Sequence, residues 1–220
     1  FFGGKQVLEE LARLKEESPD HVFFILGNRD INKMRLPVEL GPKTIGVTPY
    51  WFFFAPQEAL NTLAHNKIER LKFILNVTMK APQSFELRRQ EIGSEASDEA
   101  VYESFLNELK AGGAFYKILE AGSIATRIHN TLFVHGGLTL DNFGFIPGHT
   151  DRYENVAEWI AKINQWYQER FQVWAEHKDG WTGTGPRPAE DLLNYPIPIS
   201  SLSQQTKQRS IIYGRNVDQN

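Results

Sequence analysis

The sequence predicts an α/β fold, and three short apolar runs carry the prediction. Residues 5–17 place Val7, Leu8, Leu11 and Leu14 at helical spacing, and Ser18-Pro19-Asp20 stops that helix. Val22 to Leu26 then forms an unbroken apolar run, and Thr131 to Val134 and Ser210 to Tyr213 are two further short, mostly apolar strand candidates. Continuous runs of this kind mark strands covered on both faces. Each ends in a small or polar turn: Gly27-Asn28-Arg29-Asp30, His135-Gly136-Gly137 and Gly214-Arg215-Asn216. In α/β folds, ligands bind at loops leaving the C-terminal ends of strands.

The remaining elements follow from periodicity and punctuation. Pro and Gly break up residues 37–49, and the aromatic run Tyr50-Trp51-Phe52-Phe53-Phe54 reads as a strand or as a lip of exposed rings. A helix is expected from Pro56 to Leu75, with Leu60, Leu63, Ala64, Leu71 and Leu75 on one side. Residues 80–96 read as a polar loop. Ser97 is a candidate N-cap ahead of Asp98 and Glu99, whose charges suit a helix start. Val101, Tyr102, Phe105, Leu106 and Leu109 continue that helix to Gly112-Gly113, and a further helical piece is expected over 114–127. Residues 50–127 are therefore expected to be a helical insertion that adds no strand to the sheet. A long amphipathic helix should span 152–177 through Val156, Trp159, Ile160, Ile163, Trp166 and Trp174; 180–188 is loop.

Composition narrows the function classes. A chain of 220 residues, 41% of them hydrophobic, can bury a sizeable core as a single domain carrying an insertion. The net charge of −3 argues against a nucleic-acid partner, whose footprint would be a basic stripe. With no cysteine, disulfides, thiolate metal sites and cysteine nucleophiles are excluded, so any metal must be held by nitrogen and oxygen. No apolar run reaches the roughly 18 residues of a membrane span, and the opening Phe1-Phe2-Gly3-Gly4-Lys5-Gln6 lacks both an initiator Met and a signal-peptide layout. No membrane association and a cytoplasmic location are the expectations, although the missing cysteines do not fix the compartment.

Two of the turns hold chemistry-bearing residues. Asn28 offers a neutral carboxamide oxygen and His135 an imidazole, both suitable ligands for Mn, Fe or Zn. Glycines beside them allow sharp turns and leave room for a bound anion. The competing structural reading makes Asn28 and Asp30 turn formers and His135 a satisfied core histidine. Having both motifs, in order and each capping an apolar run, favours function. His149, in Pro147-Gly148-His149-Thr150, follows His135 too closely and reads as surface loop; His21, His65, His129 and His177 read as solvated, and Trp159, Trp166 and Trp174 as helix core.

"FFILGNRD" followed later by "TLFVHGGL" resembles the calcineurin-like metallophosphoesterases, in the branch related to phosphoprotein phosphatases. The helix-strand approach to the first motif fits that resemblance, and "SIIYGRN" fits it less specifically. The resemblance implies a central β-sheet system flanked by helices. It also implies a phosphatase that cleaves phosphate monoesters, including those on phosphoproteins, by in-line attack of a metal-bridging hydroxide. Two divalent ions (Mn, Fe or Zn) are implied, with Asn28 and His135 as ligands. Arg29 stands where the family has His; it cannot act as a general acid near neutral pH but can fork onto phosphate. Asp30 is expected to orient its neighbour, and Arg209 or Arg215 to bind phosphate. The family's early Asp-x-His and Gly-Asp-x-x-Asp motifs and its late Gly-His motif have no counterpart. The chain is therefore expected to be cut at both ends, to take its remaining ligands from outside, and to be inactive alone. Some phosphatase-like proteins share Asn-Arg-Asp, so Arg29 marks either a subgroup or a lost activity. The alternatives are a non-catalytic phosphatase-like binding module, docking proteins on its helical insertion, and a nucleotide or dinucleotide phosphohydrolase acting on a small phosphoester.

Overall fold

A computed structural model describes residues 4–46, 55–195 and 210–213. The run Tyr50 to Phe54 and the arginines Arg209 and Arg215 lie outside the described residues. In chain order the elements are α1 (Gly4–Glu17), β1 (Phe24–Ile25), α2 (Asn28–Lys33), α3 (Arg35–Leu40), α4 (Leu60–His65), α5 (Lys67–Phe73, continued as a π-turn over Ile74–Thr78), α6 (Ser84–Ile92) and α7 (Asp98–Asn107). They continue with α8 (Ala114–Glu120), β2 (Gly122–Ser123), β3 (Ala125–Ile128), β4 (Thr131–Val134), α9 (Val156–His177) and α10 (Glu190–Asn194). Helix and sheet are thus mixed, with helix predominating. Among the described residues, no helix is long and apolar enough to cross a membrane.

The chain divides into two compact units. One comprises Phe1–Glu17, Met34–Ile118 and Glu176–Pro188; the other comprises Ser18–Lys33, Leu119–Ala175 and Ala189–Asn220.

In the first unit the core is helical, built from Leu36, Val38, Leu40, Leu71, Ile74, Phe85, Val101, Tyr102 and Phe105. Its polar anchor is Arg70, which is fully buried. The guanidinium donates to the carbonyls of Leu63 at 2.8 Å, Ala64 at 2.9 Å, and Glu39 and Thr44 at 3.1 Å each. Those carbonyls belong to the ends of α3 and α4 and to the turn after α3, where a helix leaves acceptors unsatisfied. Beside it, buried Glu39 accepts both arms of the Arg35 fork, at 2.8 and 2.9 Å, and an Arg187 N–H at 2.7 Å. Tyr102 Oη closes the arrangement by donating to Leu40 O at 2.8 Å.

Several expectations need correction here. The helix from Pro56 to Leu75 is broken at Asn66, whose backbone is extended and whose side chain accepts from Ile68 N and Glu69 N. Asn at an N-cap restarts the helix instead of continuing it. Residues 84–92 of the expected polar loop are helix α6. Phe85 is its one buried large apolar residue, so no stripe marks it. Ion pairs do the work: Arg89 to Glu86 at 2.8 Å, Arg88 to Glu91 and Glu108 at 3.5 Å each, and Arg89 to Asp98. Ser97 does cap α7, accepting from Ala100 N at 3.2 Å.

In the second unit β1 pairs in parallel with β2, Phe24 opposite Gly122, and β3 forms an antiparallel hairpin with β4, Ala125 opposite Val134. The helical block therefore ends at Glu120, and residues 122–123 and 125–127 are strand where helix was expected. Gly122 weakens a helix, and the side chain of Leu26 occupies the space where its Cβ would stand, 2.6 Å away. Thr126 and Ile128 are β-branched, which favours strand. β1 and β4 are half-covered strands and not buried on both faces. Residues 210–213 are a bend and not a strand, although Ser210, Ile211 and Ile212 are buried. Helix α9 meets expectation: Trp159, Ile163, Trp166, Tyr167, Phe171 and Trp174 are its buried side. Asn164, on that helix, accepts from Ile124 N at 2.9 Å and donates to Ala125 O at 2.8 Å, fastening the hairpin.

Arg70→Ala should strip four carbonyls of their donor and cost about 3–5 kcal/mol in denaturant unfolding. Arg70→Lys, which cannot span the same set, should recover only a minor part. A loss below about 1 kcal/mol for the alanine variant would show that the anchor is dispensable.

Candidate functional site

The chain leaves β1 at Gly27 and turns at once into α2, so the first motif is a helix start where a turn was expected. Asp30 explains the helix. Its Oδ2 accepts from Gly27 N at 2.9 Å, the backward half of a capping box, while Asp30 N and Ile31 N donate to Gly27 O at 3.1 and 3.2 Å. Asp30 Oδ1 also lies 3.5 Å from Lys33 Nζ, one turn on. Burial pushes the Lys33 ammonium below its usual range, Asp30 draws it part of the way back, and the positive charge of Arg29 lowers it further. Asn28 and Asp30 are half-buried and Arg29 is exposed.

His135 follows β4, is exposed, and lies with its imidazole over Gly27. A Cβ built on Gly27 would stand 2.6 Å from both Cε1 and Nδ1 of that ring. Only a residue without a side chain lets the ring come so close. The second motif thus meets the first one residue ahead of Asn28, although the two strands that carry them belong to separate two-stranded sheets.

The turn after His135 is held by backbone and by one buried amide. Gly136 N donates to Ile211 O at 2.7 Å. Asn142, 3% exposed, donates to Gly137 O at 2.7 Å and to Ser210 O at 3.3 Å, and accepts from Thr139 N at 2.8 Å. Asn142 and Lys33 carry no signal in the sequence that marks them. A polar residue in a Gly-rich loop has no periodicity to mark it, and Lys33 is recognisable only once residues 28–33 are known to be helical. His149 sits in an exposed turn, with its N–H on Ile146 O at 3.1 Å.

The donor set sets the terms for a metal. Asn28 and His135 carry a carboxamide and an imidazole, donor types suited to a divalent ion. Among the described residues, no group of three or more His, Asp or Glu could hold an ion. Comparison with protein-family models, curated proteins and solved structures gives no match for the chain.

Two glycine substitutions separate the contacts. Gly27→Ala should displace the exposed His135 ring, shifting its imidazole resonances while changing stability by less than about 1 kcal/mol. In Gly136→Ala the new Cβ would meet backbone, Ile211 O at 2.8 Å and Tyr213 N at 2.9 Å, which cannot swing aside. That variant should lose about 2 kcal/mol or more. Unmoved His135 resonances in Gly27→Ala would contradict the packing of the ring.

Proposed function

We propose that the chain is part of a metal-dependent phosphatase acting on phosphate monoesters, with phosphorylated proteins as the substrate class and a metallophosphoesterase-type sheet completed by segments outside it. The observation that carries this reading is the meeting of the two motifs: the His135 imidazole rests on Gly27, one residue before Asn28. What supports the reading is that the histidine's ring packs on the residue next to Asn28 in the chain, and that both residues carry a donor type suited to a divalent ion.

Divalent ions (Mn, Fe or Zn) held by Asn28 and His135, together with ligands outside the chain, would supply a water acidic enough to attack at neutral pH. The chain's own residues have the other tasks. Arg29, exposed beside Asn28, forks onto the phosphate oxygens and neutralises the charge that builds during transfer. It gives no proton to the leaving group, because a guanidinium is not deprotonated in proteins. Asp30 works one step back: by capping α2 at Gly27 it fixes where Asn28 and Arg29 start. Asn142 does the same for the loop after His135. Arg209 and Arg215 are further candidates for phosphate contacts.

In the full-length protein, p-nitrophenyl phosphate should be hydrolysed, and a chelator should abolish turnover. His135→Ala and Asn28→Ala should each lower kcat/KM by about 100-fold or more, since even residues one shell removed from a metal cost 10–100-fold. Arg29→Ala should cost about 100-fold, with Arg29→Lys restoring part. Aryl phosphates should exceed alkyl phosphates, because no acid is supplied by Arg29. Turnover indifferent to chelator and to His135→Ala would reject the proposal. A protein that binds phosphopeptide without any turnover would be the non-catalytic module instead.

A further inference from the structure

The second unit turns apolar side chains outward on the strand that carries His135. β3 and β4 pair Thr126 with Phe133 and Ile128 with Thr131, so these four residues share one face of the hairpin. The other face holds Ala125, which is fully buried, and is therefore the inward one. A hairpin with one solvated face ordinarily presents polar residues outward. Here the outward face is uncharged, and its two large residues, Ile128 and Phe133, are 39% and 41% exposed. The pattern continues past the strand: Leu138 is 37% exposed and Leu140 83%. Single exposed apolar residues are ordinary, but these are gathered on one hairpin and the turn that follows it.

Chain length sets how near they stand to the candidate site. A residue spans at most about 3.6 Å, so the Cα of Phe133 lies within about 7 Å of that of His135, and the Cα of Leu138 within about 11 Å. In an extended peptide, residues two and three places from a phosphorylated one lie about 7–10 Å from it. A peptide whose phosphate sits at His135 therefore carries its neighbouring side chains as far as Phe133 and Leu138. An uncharged apolar surface gives charged neighbours no partner, whereas an apolar neighbour removes surface from water on both sides of the contact.

We propose that Phe133 and Leu138 are specificity-determining residues of the phosphate site, favouring phosphorylated segments with large apolar side chains two or three residues from the phosphoresidue. The proposal rests on the phosphatase reading for the place of the phosphate and adds the sequence preference of the substrate.

The test uses the full-length protein and two fluorescein-labelled peptides in which a non-hydrolysable phosphonate replaces phosphoserine. One has leucine two residues before and three after the phosphonate; the other has serine at both places. The leucine peptide should bind about 10-fold more tightly. Phe133→Ser should cut that preference to about 3-fold or less, and Phe133→Leu should retain it. Leu138→Ser should also reduce it, from outside the strand, and substitutions at exposed positions of this kind leave folding intact. Hydrolysis of p-nitrophenyl phosphate by the unaltered protein separates the two readings: no turnover with the leucine preference intact would fail the phosphatase and keep the apolar selection. Equal binding of the two peptides, no binding of either, or a preference indifferent to both serine variants would overturn the inference. So would a Phe133→Ser effect confined to oligomeric state, which would assign the face to a second copy of the chain.

Discussion

The candidate site depends on a missing atom. At Gly27 no Cβ exists, and the His135 ring occupies that space at a distance no side chain would allow. Everything else in the neighbourhood sustains this approach. Asp30 draws the Gly27 amide into the start of α2, so the bare backbone is held in one orientation. On the other side, Asn142 and the Gly136 amide fix the loop that carries the histidine. Two close-packed glycines, one accepting a ring and one accepting backbone, therefore do more for the site than the charged residues that first draw the eye.

Legibility in the sequence followed the strength of the local signal. Helices α1 and α9 were readable because apolar residues recur along a face for several turns, and α7 because Ser97 announces its start with two acidic residues behind it. Helix α6 was not readable, since ion pairs within it and to Asp98 and Glu108 replace the apolar stripe. The break at Asn66 was hidden by apolar periodicity that runs across it. β2 was invisible for a different reason. Two residues beginning with glycine carry no strand signature, and their pairing with β1 is decided by Leu26 filling the space above Gly122.

For the site, the order of the motifs and the donor chemistry of Asn28 and His135 could be read directly, but their approach could not. Contact between a ring and a backbone leaves no complementary residue type in the sequence. The role of Asp30 is likewise unreadable from a segment that reads as a turn, because a carboxylate three places after a glycine becomes a cap only if a helix follows.

The Arg70 anchor has a consequence for how this unit tolerates sequence change. Four of its bonds reach main-chain carbonyls, those of Glu39, Thr44, Leu63 and Ala64. A carbonyl is the same whatever side chain stands on it. The restraint is therefore one-sided: drift at Leu63 or Ala64 is limited by packing alone and does not touch the guanidinium's partners. At position 70 itself, no other residue type presents five donors in a plane. Saturation libraries of this unit should find position 70 intolerant while Leu63 and Ala64 vary as far as packing allows, their carbonyls being indifferent to the side chain.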